Sequence, residues 1–317
     1  MKIHLVTPAP LAFNNGNKIT AVRWNAIFRK LGHRVTLGRS FDGRPCDLLV
    51  ALHARRSYES IARFHECHPD RPLIVALTGT DLYRDIRVDR RAQRSLEIAT
   101  RIVALQRMAL AELPPYLHGK TRIIYQSARP MRSRVPPWTS ERFKVCVVGH
   151  LRKEKDPLRA ALAARRLPPD SRVVIAHVGR ALDGSLQRRA RSESANNPRY
   201  RWLGELPHWK TRRLLAQSHV TVISSLMEGS SNVLSEALAA SVPVVAARIP
   251  GLIGTLGSDY PGFFPPGDTS ALAGVLRRLE SERKFYLRLR RACARAARLV
   301  RPARELRAWK SLLNELT

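Results

Sequence analysis

Val220-Thr221-Val222-Ile223-Ser224-Ser225-Leu226-Met227-Glu228-Gly229-Ser230-Ser231-Asn232-Val233-Leu234-Ser235-Glu236-Ala237 is the stretch on which the fold turns. A short apolar, β-branched run gives way to a polar loop and then to a helix-forming segment at 231–240. A strand that passes through a glycine turn into a helix is the opening of an α/β unit. Gly229 permits the tight turn, and Ser230 or Ser231 can cap the helix. Free N–H groups at such a helix start favour an anionic or hydroxyl-rich ligand. Glu228 lies in the loop and Glu236 two turns into the helix, a separation suited to two hydroxyl clusters of one extended ligand. The alternative is that Glu228 only complements the helix dipole and Glu236 lies on the surface.

The same rhythm extends in both directions. Candidate strands lie at 3–8, 34–37, 47–52, 72–77, 101–105 and 122–125, then at 143–148, 172–178, 200–203, 220–224 and 243–247. Several are unbroken apolar runs, as in parallel strands buried on both faces. Candidate helices fall between them at 19–31, 156–166, 209–218 and 231–240. The alternation predicts an α/β protein built of doubly wound, Rossmann-like units with right-handed crossovers. The Pro- and Arg-rich stretch 127–138 has no sustained period and reads as a linker. The expected organisation is an N-terminal Rossmann-like domain at 1–137, a C-terminal Rossmann-like domain at 138–302, and a final helix at 303–317 that packs back on the first domain. Ligand is then expected in a central cleft, where the carboxyl ends of both sheets meet.

Composition narrows the class. The chain has 317 residues, 44% of them apolar, enough for two cores. The 56 Lys and Arg against 25 Asp and Glu leave a net charge of +31, and 46 of the cations are arginine. Such an excess fits a nucleic-acid partner or an enzyme of small phosphorylated substrates. No zinc module, recognition helix or aromatic-rich basic motif supports nucleic acid, which ranks last, and the charge alone decides no partner. Residues 277–307 carry twelve basic and three acidic residues, with Tyr286, Leu289, Cys293, Ala296 and Val300 forming a buried stripe and Pro302 breaking the helix. Cys46, Cys67, Cys146 and Cys293 are widely spaced, which points to a reducing cytoplasm. No apolar run reaches a membrane span, and no secretory signal is expected. The run His65-Glu66-Cys67-His68 lacks a second ligand pair and no D-x-D pair occurs, so no metal is expected.

Further segments point toward the same cleft. Gly149-His150-Leu151-Arg152-Lys153-Glu154-Lys155 follows a strand, and its cations can neutralise a diphosphate leaving group. The alternative is a charged surface turn. Asn14-Asn15-Gly16-Asn17 occupies the site of the glycine loop without a full G-x-G-x-x-G. His53, Arg55 and Arg56 follow one strand and offer an imidazole and two guanidiniums for a phosphate-like dianion. Thr78, Thr80 and Asp81 follow the next, offering hydroxyls and a carboxylate beside Gly79, with capping as the competing role.

The order of strand, E-x7-E helix, PVVAA strand and PPGD resembles the C-terminal half of GT-B glycosyltransferases that use nucleotide-sugar donors. That resemblance implies that Glu236 holds ribose hydroxyls, Glu228 contacts the donor sugar, and Gly229, Ser230, Ser231 and Asn232 line sugar and phosphate. Lys155 matches the diphosphate lysine. His150 stands where an arginine is usual, with Arg152 as the substitute. Segments such as ALHARRS, LIVALTGTDLYRD, RIIYQSA, VCVVGHLRKEKDP and RYRWLGELPH extend the likeness over almost the whole chain, to the selenosugar synthases of selenoneine biosynthesis. Ser230-Ser231 departs from the glycine and alanine more usual there.

The family implies transfer from UDP-N-acetylglucosamine or UDP-glucose to selenophosphate, forming a carbon–selenium bond with no cofactor besides the substrates. Site expectations are then His53, Asp81 and Glu228 at the reacting centre. Asn15, Gly16, Asn17, His150, Arg152, Lys155, Gly229, Ser230, Ser231, Asn232 and Glu236 would hold the donor, and His53, Arg55, Arg56, Thr78 and Thr80 the acceptor. A UDP-sugar transferase with an ordinary oxygen acceptor remains the alternative, and oligomeric state stays open.

Overall fold

The computed structural model describes residues 1–8, 15–132 and 134–316. Two compact units emerge: Met1–Ser127 with Glu228–Asn232 and Pro302–Thr317, and Ala128–Met227 with Val233–Arg301. The first passage between them, Ser127–Ala128, falls at the start of the Pro- and Arg-rich stretch.

Unit 1 contains β1 (Lys2–Val6), β2 (Arg34–Gly38), β3 (Leu48–Leu52), β4 (Leu73–Leu77), β5 (Arg101–Ala104) and β6 (Thr121–Ile123). All are parallel, in the order β2-β1-β3-β4-β5-β6. Its helices are α1 (Gly16–Lys30), α2 (Tyr58–Cys67), α3 (Ile86–Val88) and α4 (Arg90–Ile98). Every residue of β3 and β4 is buried. The pleat sends Leu49, Ala51, Val75 and Leu77 to one apolar layer and Leu48, Val50, Ile74 and Ala76 to the other.

Unit 2 contains β7 (Phe143–Val148), β8 (Val173–Val178), β9 (Tyr200–Trp202), β10 (Val220–Ile223), β11 (Val244–Ala247) and β12 (Phe263–Phe264). These are also parallel, ordered β12-β11-β10-β7-β8-β9. The flanking helices are α5 (Arg159–Ala164), α6 (Gly184–Asn196), α7 (His208–Ala216), α8 (Asn232–Ala239), α9 (Pro250–Leu256), α10 (Thr269–Ser281) and α11 (Arg283–Ala296). In both sheets the strand order reverses once, between β1 and β3 and between β7 and β10. The crevice beyond such a switch point is where doubly wound sheets bind ligands.

The expected strands all form, with small differences that have local causes. The runs at 72–77 and 243–247 begin one residue late because Pro72 and Pro243 have no N–H to give the ladder. Their carbonyls still accept from Leu49 and Thr221. β12 is a two-residue edge strand that the sequence reading did not separate from the loop. The helix expected at 156–166 shrinks to α5, because Asp156 adopts a left-handed φ of 42° after a 3-10 turn at Lys153–Lys155. The basic stretch 277–301 is divided at Glu282 rather than running as one helix. Its stripe from Tyr286 to Val300 is buried as expected.

Pro302 opens the final helix, α12 (Pro302–Asn314), where its missing N–H costs nothing. Trp309, Leu312 and Leu313 of α12 enter the unit 1 core. The Trp309 ring stands edge-on to Trp24 and Phe28, each at 4.7 Å. Beside them lies Glu305, with only 1% of its surface exposed. Its carboxylate accepts from Trp24 Nε1 at 2.8 Å, Arg23 Nε at 3.2 Å and the Ser127 N–H at 2.8 Å, and also from the Ser127 hydroxyl. This one buried charge joins α1, α12 and the chain leaving β6. Replacing it strands an arginine and an indole N–H, so Glu305→Ala should lower unfolding free energy by about 3 kcal/mol in urea titrations.

Candidate active site

In unit 1 the loops after β3 and β4 are locked together by Asp81, which is fully buried. Its carboxylate accepts the N–H groups of Thr78 at 2.9 Å, Gly79 at 2.7 Å and Ala54 at 3.1 Å. Gly79 has φ 152°, a backbone state that suits a residue without Cβ. Asp81 was expected at the reacting centre, but backbone donors occupy its oxygens. It shapes the loops instead.

His53 ends β3 with φ 74°, a rare value for a residue with a side chain. It is 2% exposed. The Arg56 N–H donates to Nδ1 at 3.3 Å, so the proton of the neutral ring sits on Nε2, 3.0 Å from Thr80 Oγ1. The carboxylates of Asp81 and Asp85 both lie 3.9 Å from the ring nitrogens. Burial outweighs their attraction, and with Arg56 and Arg55 nearby the ring titrates below the ordinary histidine range.

Asp85 follows on a π-helical turn at Asp81–Asp85. Burial alone would raise its carboxyl, but hydrogen bonds from Arg55 and Arg84 hold it below the usual range. Arg55 Nε lies 2.8 Å from Asp85, so this guanidinium is already paired and is no open anion grip as expected. Arg56 is exposed, and its guanidinium has no ion pair or hydrogen bond among the described residues.

The segment Glu228–Asn232 also groups with unit 1. Gly229 approaches the Thr78–Gly79 backbone so closely that a Cβ would lie 2.5 Å from the Thr78 carbonyl carbon. Its role is therefore close approach as much as turning. Glu228 is nearly buried and near enough to Tyr83 that, after burial and Glu112, it helps to push that phenol upward. Asn232 accepts from Arg23 Nη1 at 3.0 Å and donates to the Gly16 carbonyl at 3.2 Å. Asn15 caps α1 through the Lys18 N–H at 3.0 Å, and Asn17 lies in its first turn. Asn14 falls outside the described residues.

In unit 2 the loops beyond the β7/β10 switch point are stitched together. Ser224 Oγ bonds the Lys155 and Asp156 carbonyls at 3.1 and 2.9 Å, and the Leu226 N–H reaches the Glu154 carbonyl at 2.9 Å. Gly149 lies against the Lys155 stem, whose carbons would be in ordinary contact, at 3.9 Å, with a Cβ there. His150 Nδ1 accepts the Arg180 N–H at 3.1 Å. Arg152 Nε is buried with no hydrogen-bond partner among the described residues. Ser230 is half-buried, and Ser231 stands immediately before α8 at the N-cap position.

Glu236, on the second turn of α8, bonds His208 Nε2 at 2.7 Å. Its other oxygen has no hydrogen bond among the described residues.

Three contributors escaped the sequence reading. His208 gave no signal beyond its place at a helix start. His177 was legible as a polar residue inside the apolar strand β8. It is fully buried, donating from Nε2 to the Gly149 carbonyl at 3.0 Å while Nδ1 takes the Tyr200 hydroxyl at 2.8 Å. Gly179 lets that same carbonyl pass where a Cβ would sit 1.8 Å away. The run 65–68 stays on the end of α2, and no group of three or more His, Cys, Asp or Glu among the described residues is placed to hold a metal ion. No helix among them is long and apolar enough to cross a membrane.

The family model "Glycosyl transferases group 1" matches residues 130–300, which hold the Lys155 loop, the Glu228–Glu236 segment and His208. The chain belongs to the group 1 glycosyltransferases. Sucrose-phosphate synthase from Thermosynechococcus elongatus is similar at 15% identity and TM-score 0.81, over 99% of this chain and 98% of that one. HepE from Anabaena, solved with UDP and glucose, is similar at 17% identity and TM-score 0.76 over 100% of both chains. A glycosyltransferase from Rickettsia africae is similar at 13% identity and TM-score 0.74, over 99% and 98%. At such identities the likeness is one of fold. This glycosyltransferase has the GT-B architecture of two parallel six-stranded sheets with flanking helices.

Two outcomes follow from this geometry. Gly229→Ala forces backbone apart, so sugar transfer should fall about 100-fold, measured as steady-state turnover. Burial pushes the His177 ring down to about 4, against the pull of its bond to Gly149. The unfolded chain binds that proton near pH 6.5. The associated stability, about 3 kcal/mol, is present above pH 6.5 and lost as pH falls to 4. Urea midpoints between pH 7 and 4.5 should record the loss, and His177→Gln should flatten it.

Proposed function

We propose that this glycosyltransferase is a selenosugar synthase, transferring the sugar of UDP-N-acetylglucosamine or UDP-glucose to selenophosphate. The likeness of segments along almost the whole chain supports the family. HepE has been solved with UDP and with UDP-glucose, which agrees with a uridine donor. Glu236, with one carboxylate oxygen open, takes the ribose hydroxyls, and Lys155 and the partnerless Arg152 Nε meet the diphosphate. Glu228, Gly229, Ser230, Ser231 and Asn232 serve the donor sugar and phosphate, with Asn15, Gly16, Asn17 and His150 completing the donor contacts. Fixed cations and helix-start dipoles carry the leaving-group charge, so the reading assigns no cofactor.

The observation that carries the acceptor is the state of His53. Its Nδ1 is occupied by a backbone N–H and its Nε2 bears the proton. Such a ring has no open lone pair and is poorly set to strip a proton from a hydroxyl acceptor. It suits a nucleophile that arrives ionised. Selenium attacks C1 of the sugar, the C1–O bond to UDP breaks, and UDP departs. Water then cleaves the Se–P bond, leaving the selenosugar and inorganic phosphate. Thr80, Thr78 and the exposed Arg56 hold the phosphate oxygens, His53 orients the Thr80 hydroxyl through Nε2, and Asp81 and the Arg55–Asp85 pair fix the loop. A selenol product and four free cysteines agree with the cytoplasm.

The test incubates the protein with each UDP-sugar, with and without selenophosphate. UDP should appear only with selenophosphate, and product NMR should show selenium on C1. His53→Ala should raise KM for selenophosphate about 10-fold and leave the donor KM unchanged. UDP release driven by a hydroxyl acceptor without selenophosphate would sink the selenium reading in favour of an ordinary oxygen acceptor.

A further inference from the structure

The contact between His208 and Glu236 is built by an unusual run of local constraints. After β9 the chain turns at Gly204, whose φ of 69° places its carbonyl on the Gly179 N–H at 2.8 Å. Pro207, with φ −51°, then sets the start of α7, and its carbonyl accepts the Thr211 N–H at 3.0 Å. His208 is therefore delivered as the first residue of α7 from a chain held on both sides. Its side chain remains 48% exposed while that of Glu236 is 9% exposed. The buried carboxylate meets the more exposed imidazole at 2.7 Å, a distance typical of a charge-assisted bond.

A carboxylate only accepts, so the shared proton lies on His208 Nε2. Oε1 of Glu236 is thereby engaged, and Oε2 is left with its lone pairs. A glutamate without that bond would sample several rotamers, and each would aim Oε2 elsewhere. Fixing the rotamer before a ligand arrives removes an ordering cost from binding.

We infer that His208 is a positioning residue for the nucleotide ribose: it orients Glu236 so that Oε2 receives the vicinal hydroxyls of the donor. The inference rests on the reading of Glu236 as the ribose acceptor. His208 itself touches no reacting atom.

Isothermal titration calorimetry of UDP and 2′-deoxy-UDP with the full chain tests it, using the wild type, His208→Ala and His208→Gln. His208→Ala should weaken UDP about 10-fold and 2′-deoxy-UDP much less, so the preference for ribose collapses. His208→Gln, whose amide nitrogen can donate to the same oxygen, should retain most of that preference. In turnover the loss should fall on donor KM and spare kcat. Equal weakening of both nucleotides in His208→Ala, or the same loss in both variants, overturns the inference. If the wild type instead prefers ADP or GDP, the uridine donor reading fails, and the ribose-to-deoxyribose ratio for that nucleotide still decides the role of His208.

Discussion

Every neighbouring strand pair in both sheets is parallel, and that constraint governs where chemistry can be placed. A parallel strand cannot turn straight back; its chain must leave the carboxyl end, cross over through a helix and return at the other end. The loops that leave β3, β4, β7, β8 and β10 therefore crowd the carboxyl edges of their sheets. There the backbone N–H and C=O groups run out of ladder partners and must find others. Asp81 takes three N–H groups in unit 1, while Ser224 and His177 take carbonyls in unit 2. Polar side chains at these edges are first the solution of a hydrogen-bonding problem.

Burial sets the charge state of several of these groups. His53 and His177 are both kept neutral by desolvation, though only His53 has carboxylates close by. Glu305 stays deep in unit 1 because one guanidinium and three further donors surround it. These are expensive arrangements in a low-dielectric interior, tolerable only when every lone pair is used. The contrast with the surface is sharp. Along α11 the exposed cations Arg283, Lys284, Arg288, Arg291 and Arg295 make no ion pair among the described residues. They contribute to the net charge of +31 a general positive field, which favours capture of anionic substrates without specifying any of them.

The amino-acid sequence by itself determined the α/β class, the strands and most of the helices, because two-sided burial demands continuous apolar runs such as Leu48–Leu52 and Leu73–Leu77. It also determined the loop from Glu228 to Asn232 and the helix bearing Glu236, since glycine, serine and carboxylates at that spacing are local chemistry. The partnerships were decided only in the tertiary structure. Asp81 looks like a carboxylate of the reacting centre until the N–H of Ala54, in the loop after β3, joins those of Thr78 and Gly79 on its oxygens. Arg55 looks like an anion grip until Asp85, thirty residues on, neutralises it. His208 looks like nothing in particular until α8 brings Glu236 to within 2.7 Å. Periodicity records which way a residue faces, whereas a hydrogen bond depends on where a distant chain segment arrives, and only the packed sheets decide that.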